Sequence, residues 1–365
     1  MKILYITNIP SPYTVEFLNG LGNFTELTVA FERKRASDRD LQWRNYEDRN
    51  YNEIYLKGIP FGAEKAFCFG IVRLLLKDWD VIVISGYATP TGIFAILLLK
   101  LIKKNFLISV DGGIIKKDST IKYQLKKRLM GSATGWLSSG IETSKYLINY
   151  GAKKDYIYEF PFSSVSASNI NEKAVITRLN KELNNDEKEI KVISVGQFIK
   201  RKGFDILLKA CANLDNCLKV TIVGGKPTKE YNDLLEQLEL ENVRFCEFKS
   251  KEELGVLYAS SDIFVLPTRE DIWGLVVNEA MAYGLPVITT DKCVAGATMV
   301  VNQENGFVIP VEDEDALAEK INWIAKNDLK RKQMSINALE VAKQYTIEKM
   351  VESHIEIFNK FIYKT

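Results

Sequence analysis

The sequence predicts an α/β protein of two doubly wound, Rossmann-like domains facing across a cleft, and three observations carry that prediction. Short apolar runs alternate with helix-period stretches along all 365 residues, the pattern of repeated βαβ units. Several runs are apolar at nearly every position, as strands buried on both faces of a parallel sheet must be. The alternation lapses at "SSVSASNINEKA" (163–174) and then restarts, so the chain divides in two. Its length is ample for two hydrophobic cores. The domains are expected at residues 1–165 and 166–345, with 346–365 as a helix packing back toward the first.

In the first half "KILYIT", "ELTVAF", "DVIVIS", "FLISVD" and "TGWLSS" read as strands. Between them "PYTVEFLNGL", "TGIFAILLLKLI" and "STIKYQLKKRLM" read as helices. The second half runs "KVISVG" strand, "GFDILLKACANL" helix, "KVTIVGG" strand, "EYNDLLEQLE" helix, "VRFCEF" strand, "KEELGVLYASS" helix and "IFVLPT" strand. Phe204, Leu207, Leu208, Cys211 and Leu214 recur at helical spacing and form one apolar face. Facing α/β sheets bind ligands beyond the carboxyl ends of their strands.

Composition narrows the partners. Residues 1–165 hold 23 basic and 16 acidic side chains, and the remainder holds 26 and 31. A basic half followed by an acidic one suggests different partners for the two domains. The surplus is too small for a nucleic-acid binder and no nucleic-acid motif accompanies it. Five cysteines show no CxxC or metal-ligand spacing and sit among apolar neighbours, which reads as buried thiols in a reducing compartment. "MKILYITNIP" lacks the apolar core of a signal peptide, and the apolar run Gly92–Leu99 is too short to span a membrane. The expected location is cytoplasmic, with contact to the cytoplasmic membrane face left open.

Two segments of the second half carry chemistry. "SVGQFIKRKGFDILL" (194–208) sets Gly196 and Gln197, then Lys200, Arg201, Lys202 and Gly203, between a strand and a helix. Glycines allow close backbone approach, a helix start offers free N–H groups and the cations supply charge. Such a loop suits a diphosphate, and equally a solvated basic turn. It is neither a Walker A loop nor a GxGxxG fingerprint. "TREDIWGLVVNEAMAYGLPVITTD" (268–291) places Asp271 in a loop and Glu279 about a turn and a half inside the helix expected from Gly274–Leu275 to Tyr283. Trp273, Gly274 and Leu275 would present backbone N–H groups at that helix start. The two acids could share one polyol ligand, or Asp271 could cap the helix and Glu279 face solvent.

Together these segments resemble retaining glycosyltransferases of family 4, which have the GT-B fold. That family carries a "GR…KG" loop followed by "E-x-F-G-x-x-x-x-E-A-M-A-x-G-x-P-V-I". The counterparts here are Gly196-Gln197, Lys202-Gly203, Asp271, Trp273-Gly274, Glu279-Ala280-Met281-Ala282, Gly284 and Pro286-Val287-Ile288. "TIVGG" (221–225, with Gly224), "IFVLPTRED" and "ENGFVIPVEDEDALAEKI" extend the likeness over most of 190–325; over 1–165 it is looser. The resemblance implies a hexosyl transfer from a nucleotide-diphosphate sugar to a saccharide or lipid-linked acceptor, with bacterial surface polysaccharide as the setting. Glu279 would hold the donor ribose, Asp271 the transferred sugar, and Lys202 the leaving diphosphate. Gly196, Gln197, Gly224 and the backbone of Trp273, Gly274 and Leu275 would surround the donor.

This sequence departs from the family pattern at three points. The usual arginine after the first glycine is Gln197, for which Arg201 is the candidate substitute. The first acid is aspartate rather than glutamate. No histidine stands in the first half; Asp111, ending the "FLISVD" strand before Gly112, is the candidate in its place, and His354 reads as a helix-surface residue. The resemblance also implies that no protein nucleophile is required: the acceptor hydroxyl would attack on the leaving-group face and a phosphate oxygen would take its proton. Fixed cations and helix-start amides would favour the transition state over the ground state.

"DWD" (78–80) and "DED" (313–315) match the string by which other glycosyltransferases hold a divalent cation, but a turn and a helix cap account for both, and no metal or other cofactor is expected. Ser11, Tyr13, Thr14 and Gly112 are acceptor-side candidates by position. Lys116, Lys117, Lys122, Lys126, Lys127 and Arg128 cluster about the helix expected over 119–131, beside Ile121, Leu125, Leu129 and Met130, which suits an anionic membrane surface or a solvated face. Two other classes stay open: a nucleotide-sugar epimerase on a similar scaffold, and a nonenzymatic sugar-nucleotide-binding module.

Overall fold

The computed structural model describes residues 1–34, 49–180 and 189–364. The chain forms two compact units: Met1–Ser164 with Thr346–Thr365, and Val165–Tyr345.

Unit 1 is built on β1 (Lys2–Thr7), β2 (Glu26–Phe31), β3 (Asn52–Tyr55), a hairpin of β4 (Ile59–Phe61) and β5 (Lys65–Phe67), then β6 (Val81–Ile84), β7 (Leu107–Val110), β8 (Gly135–Ser138) and β9 (Ile157–Glu159). All but the hairpin join one parallel sheet of order β3-β2-β1-β6-β7-β8-β9. Its helices are α1 (Pro12–Gly22), α2 (Val72–Leu75), α3 (Pro90–Leu101), α4 (Thr120–Met130), α5 (Ile141–Asn149) and, from the end of the chain, α14 (Ile347–Lys364). The five strands expected from apolar runs are present. Polar β3 and the three-residue strands β4, β5 and β9 are not legible as apolar runs.

Unit 2 holds β10 (Ile190–Val195), β11 (Leu218–Val223), β12 (Val243–Cys246), β13 (Ile263–Leu266), β14 (Val287–Thr290) and β15 (Gly306–Ile309) in a parallel sheet of order β12-β11-β10-β13-β14-β15. Its helices are α6 (Glu172–Leu179), α7 (Phe204–Cys211), α8 (Lys229–Gln237), α9 (Lys251–Ser260), α10 (Leu275–Ala282), α11 (Val294–Met299), α12 (Glu314–Lys326) and α13 (Asp328–Gln344). Phe204, Leu207, Leu208 and Cys211 are buried in the core against β10 and β11, while Leu214 is only partly buried.

In each sheet the order reverses once, at β1/β6 and at β10/β13. The loops leaving two neighbouring strands there diverge to opposite faces and leave a crevice beyond the strand ends. Both chemistry-bearing segments of the sequence lie on the loops after β10 and β13.

Two sequence expectations need correction. His354 is not on a surface: it is fully buried, its ring centroid 4.7 Å from that of Phe17 and 4.5 Å from that of Phe160. Its place follows from α14, whose apolar face (Met350, Val351, Ile357, Phe358, Phe361) packs against α1. The cysteines are not uniformly buried either, since Cys217 is exposed and Cys246 partly so; all five are free thiols. Among the described residues no helix is long and apolar enough to cross a membrane.

Candidate active site

The loop after β10 makes a single tight turn over Lys200–Lys202 and enters α7 through Gly203 at φ 69°. Only glycine serves there, because a Cβ would lie 2.0 Å from the Pro267 carbonyl oxygen. That close approach sets the turn against the segment after β13. Three bonds fasten the two: Arg269 N–H to the Arg201 carbonyl at 2.8 Å, Thr268 Oγ1 to the same oxygen at 3.0 Å, and Arg201 Nη1 to the Glu270 carbonyl at 2.7 Å.

The result is an ion-pair cluster. Lys202 Nζ lies 2.5 Å from Asp271 Oδ2 and Arg201 Nη1 3.5 Å from Asp271 Oδ1. Both partners of the first pair are largely shielded, with side chains 13% and 10% exposed, whereas Arg201 is open to solvent at 44%. Asp271 does not cap α10; it makes an isolated bridge to Cys293, and Gly274 occupies the cap position.

Arg269 was not singled out from the sequence, yet it organises the cluster. Its guanidinium grips Asp205 at 2.8 Å through two nitrogens, pairs with Glu312, and donates to the Lys200 carbonyl at 2.6 Å. Those two carboxylates raise the guanidinium's pKa and hold its charge firmly; the guanidinium in turn holds Asp205, against the opposing effect of burial, and Glu312 below their ordinary pKa values. Nothing local in "TRED" announces this role, since the partners are 64 and 43 residues away.

α10 begins after Gly274, whose φ is 102° and whose hypothetical Cβ would meet Cys293 Sγ at 2.8 Å. Leu275 and Val276 open the helix with backbone N–H groups that no described residue accepts. Trp273 is buried, its indole donating to Asn278 Oδ1 at 2.8 Å and its carbonyl accepting from Ala295 N–H at 2.8 Å, so its side chain braces the helix start. Glu279 is partly exposed on α10 and accepts a hydrogen bond of 3.2 Å from the hydroxyl of Tyr258 on α9. Tyr258, also missed, is buried and has its acidity suppressed by burial and by the Glu279 charge. Gln197 is exposed, whereas Gly224 has a packing duty: a Cβ there would come 1.8 Å from the Gly196 carbonyl oxygen. Gly196 faces the Lys202 side chain.

The crevice of unit 1 is a cavity of about 290 Å³ lined by Ser11, Tyr13, Thr14 and Asp111, with Gly112 outside the lining. Burial pushes the Asp111 carboxyl up to about 6. In the two DxD strings, Asp80 accepts from the Lys2 N–H at 2.7 Å, and Asp313 caps α12 through Ala316 N–H at 2.8 Å. Among the described residues no three His, Cys, Asp or Glu side chains gather as a metal site would require.

Residues 175–341 match the Glycosyl transferases group 1 family. Over 96% of its length the chain is 26% identical to an uncharacterized glycosyltransferase of Methanocaldococcus jannaschii, 96% of which is covered. A D-inositol 3-phosphate glycosyltransferase of Corynebacterium urealyticum is 30% identical over 45% of this chain and 41% of its own length, so that likeness spans under half of the relative. Among solved structures, Anabaena HepE in complex with UDP superposes with a TM-score of 0.75 at 16% identity, over 99% of this chain and all of that one. The same protein has also been solved with UDP-glucose. Residues 175–341 thus resemble a group 1 glycosyltransferase domain, and the chain as a whole has the two-domain GT-B fold.

Proposed function

We propose that the protein transfers a hexosyl group, with retention of anomeric configuration and without a metal, from a nucleotide-diphosphate sugar held by unit 2 to a saccharide or lipid-linked acceptor. The observation that carries this reading is the convergence of Lys202, Asp271 and the α10 helix start on the loops after β10 and β13, with Glu279 on α10. Lys202 and the Leu275 and Val276 amides supply positive charge for a leaving diphosphate, and Asp271 fixes the ammonium in place. Glu279, steadied by Tyr258, offers a carboxylate to a ribose diol. In the step itself the acceptor oxygen bonds to the anomeric carbon as the bond to the phosphate oxygen breaks, and that oxygen takes the acceptor proton. HepE, with UDP and UDP-glucose bound, supports a nucleotide-sugar donor.

Bacterial surface polysaccharide assembly at the cytoplasmic membrane face is the setting we infer. α4 exposes Ile121 (76%) and Leu125 (63%) beside Lys122, Lys127 and Arg128, a composition suited to anionic lipid.

A thermal-shift panel of UDP, GDP, ADP and their sugars tests the donor assignment, because a ligand that binds the native state raises its melting temperature. One nucleotide class should stabilise the protein, and Glu279→Ala should abolish that shift. Stabilisation by none would remove the donor site. Proton NMR of the product decides retention, and turnover in EDTA should equal that in buffer alone.

A further inference from the structure

Tyr258 and Glu279 belong to different helices, α9 and α10, so their 3.2 Å hydrogen bond is only as good as the spacing of those helices. Each residue lies within about one turn of the carboxyl end of its own helix. α9 has ten residues and α10 only eight, so whatever anchors those ends governs where the two side chains meet.

The last carbonyls of a helix have no partner within it. Those of α10 are taken up by α6. Asn171, which caps α6, donates its N–H to the Ala282 carbonyl at 2.8 Å. Arg178, near the other end of α6, is buried, and its Nη1 reaches the carbonyls of Tyr283 and Gly284, each at 3.1 Å. Nε of the same guanidinium donates at 3.0 Å to the carbonyl of Ser261, the residue that follows α9. Nη1 also donates to Ser335 Oγ on α13 at 2.9 Å, and that hydroxyl donates to the Gly284 carbonyl at 2.6 Å. Gly284, at φ 63°, allows the close fit: a Cβ there would lie 2.3 Å from the Val175 side chain of α6. One planar fork thus spans the carboxyl ends of both helices. Burial pulls the Arg178 pKa down to about 10, with the Asp262 charge opposing, so the group stays charged at neutral pH and its bonds are charge-assisted. A lysine would keep the charge but has no fork with which to hold two helices at once.

We propose that Arg178 is a positioning residue for the donor: by fixing α9 against α10 it holds Tyr258 on Glu279, and so aims the Glu279 carboxylate at the ribose diol. Preference for ribose over deoxyribose then depends on a buried side chain of α6. The proposal rests on the role of Glu279 given above.

The test is titration calorimetry on the full chain with UDP, GDP and ADP, each beside its 2′-deoxy counterpart, for wild type, Arg178→Lys, Ser335→Ala and Tyr258→Phe. The wild type should bind one ribose form about tenfold tighter than its deoxy form, the worth of a hydrogen bond to a carboxylate. Arg178→Lys and Ser335→Ala should each shrink that ratio about threefold, as the loss of one hydrogen bond would. Tyr258→Phe should shrink it too, and adding Arg178→Lys to Tyr258→Phe should shrink it no further, because both act on one carboxylate. An arginine that merely stabilised the fold would lower the urea midpoint and leave the ratio alone. An unchanged ratio in Arg178→Lys and Ser335→Ala, or full additivity with Tyr258→Phe, overturns this inference alone; Ser335→Ala decides it if Arg178→Lys does not fold. Equal binding of ribose and deoxyribose forms by the wild type detaches Glu279 from the ribose and sinks the inference with it. Binding of no nucleotide sinks the donor reading as well.

Discussion

Lys202 and Asp271 stand 69 residues apart in the chain and share an ion pair of 2.5 Å that joins the loop after β10 to the loop after β13. Because both side chains are largely shielded, removing one partner strands a charge that water reaches poorly. Asp271→Asn should therefore cost about 3 kcal/mol of unfolding free energy, read as a fall in urea midpoint. Lys202→Met in the same chain should restore much of it, and the coupling in a double-mutant cycle measures the pair. Full additivity would mean that the pair contributes nothing.

Glu279 and Tyr258 should separate by size of effect. Glu279→Ala should raise the donor KM at least tenfold with an unchanged melting temperature, since the side chain is partly exposed. Tyr258→Phe removes one hydrogen bond to a carboxylate and leaves the ring packed. A smaller, indirect loss of about 0.5–1 kcal/mol, roughly a two- to fivefold rise in donor KM, is expected for it. An unchanged KM in both variants would detach α10 from the donor.

Arg269 acts through the loop it holds. Arg269→Lys should lose most of the activity, because an ammonium cannot grip Asp205 through two nitrogens while also reaching Glu312 and the Lys200 carbonyl. The expected signature is a fall in kcat with donor affinity less affected, measured by steady-state kinetics beside nucleotide thermal shifts.

His354 gives unit 1 a pH dependence. Its Nδ1 bonds the Met350 carbonyl at 2.7 Å, and burial pushes its pKa down from 6.5 to about 4. The unfolded chain binds a proton near pH 6.5 that the folded protein refuses until about pH 4. Between these values the unfolded state carries more protons, so the contribution is complete above pH 6.5 and drains away as the pH falls to about 4. The full swing is ~3 kcal/mol. Glu32, raised to about 7, works the other way, losing its contribution as the pH rises from 4.5. Comparing wild type with His354→Leu at pH 7.5 and pH 5 isolates the histidine: the variant should lose less stability on acidification.

Much of this protein is legible in its sequence, and the remainder is hidden for physical reasons. Apolar runs such as "VIVI" and "IFVL" announce buried parallel strands because their burial leaves no polar face. The short hairpin over 59–67 has no such run, and Ile59 and Phe61 are exposed. Lys202, Asp271 and Glu279 stand out because glycines and a helix start punctuate their segments. Arg269, Asp205 and Tyr258 do not, since what matters about each is a partner brought in by tertiary folding. His354 is hidden for the same reason: the surface that buries it includes Phe17 and Phe160, both far earlier in the chain.

The position of α14 has a consequence for biosynthesis. A ribosome releases every strand of unit 1 before any of unit 2, yet the helix that covers α1 emerges only after all of unit 2. Unit 2 is complete, and free to fold, while the first unit still exposes the apolar surface around Phe17. Translation therefore begins the first unit before the second and completes it after, and a chain that loses residues 346–365 would be damaged around α1, more than three hundred residues upstream.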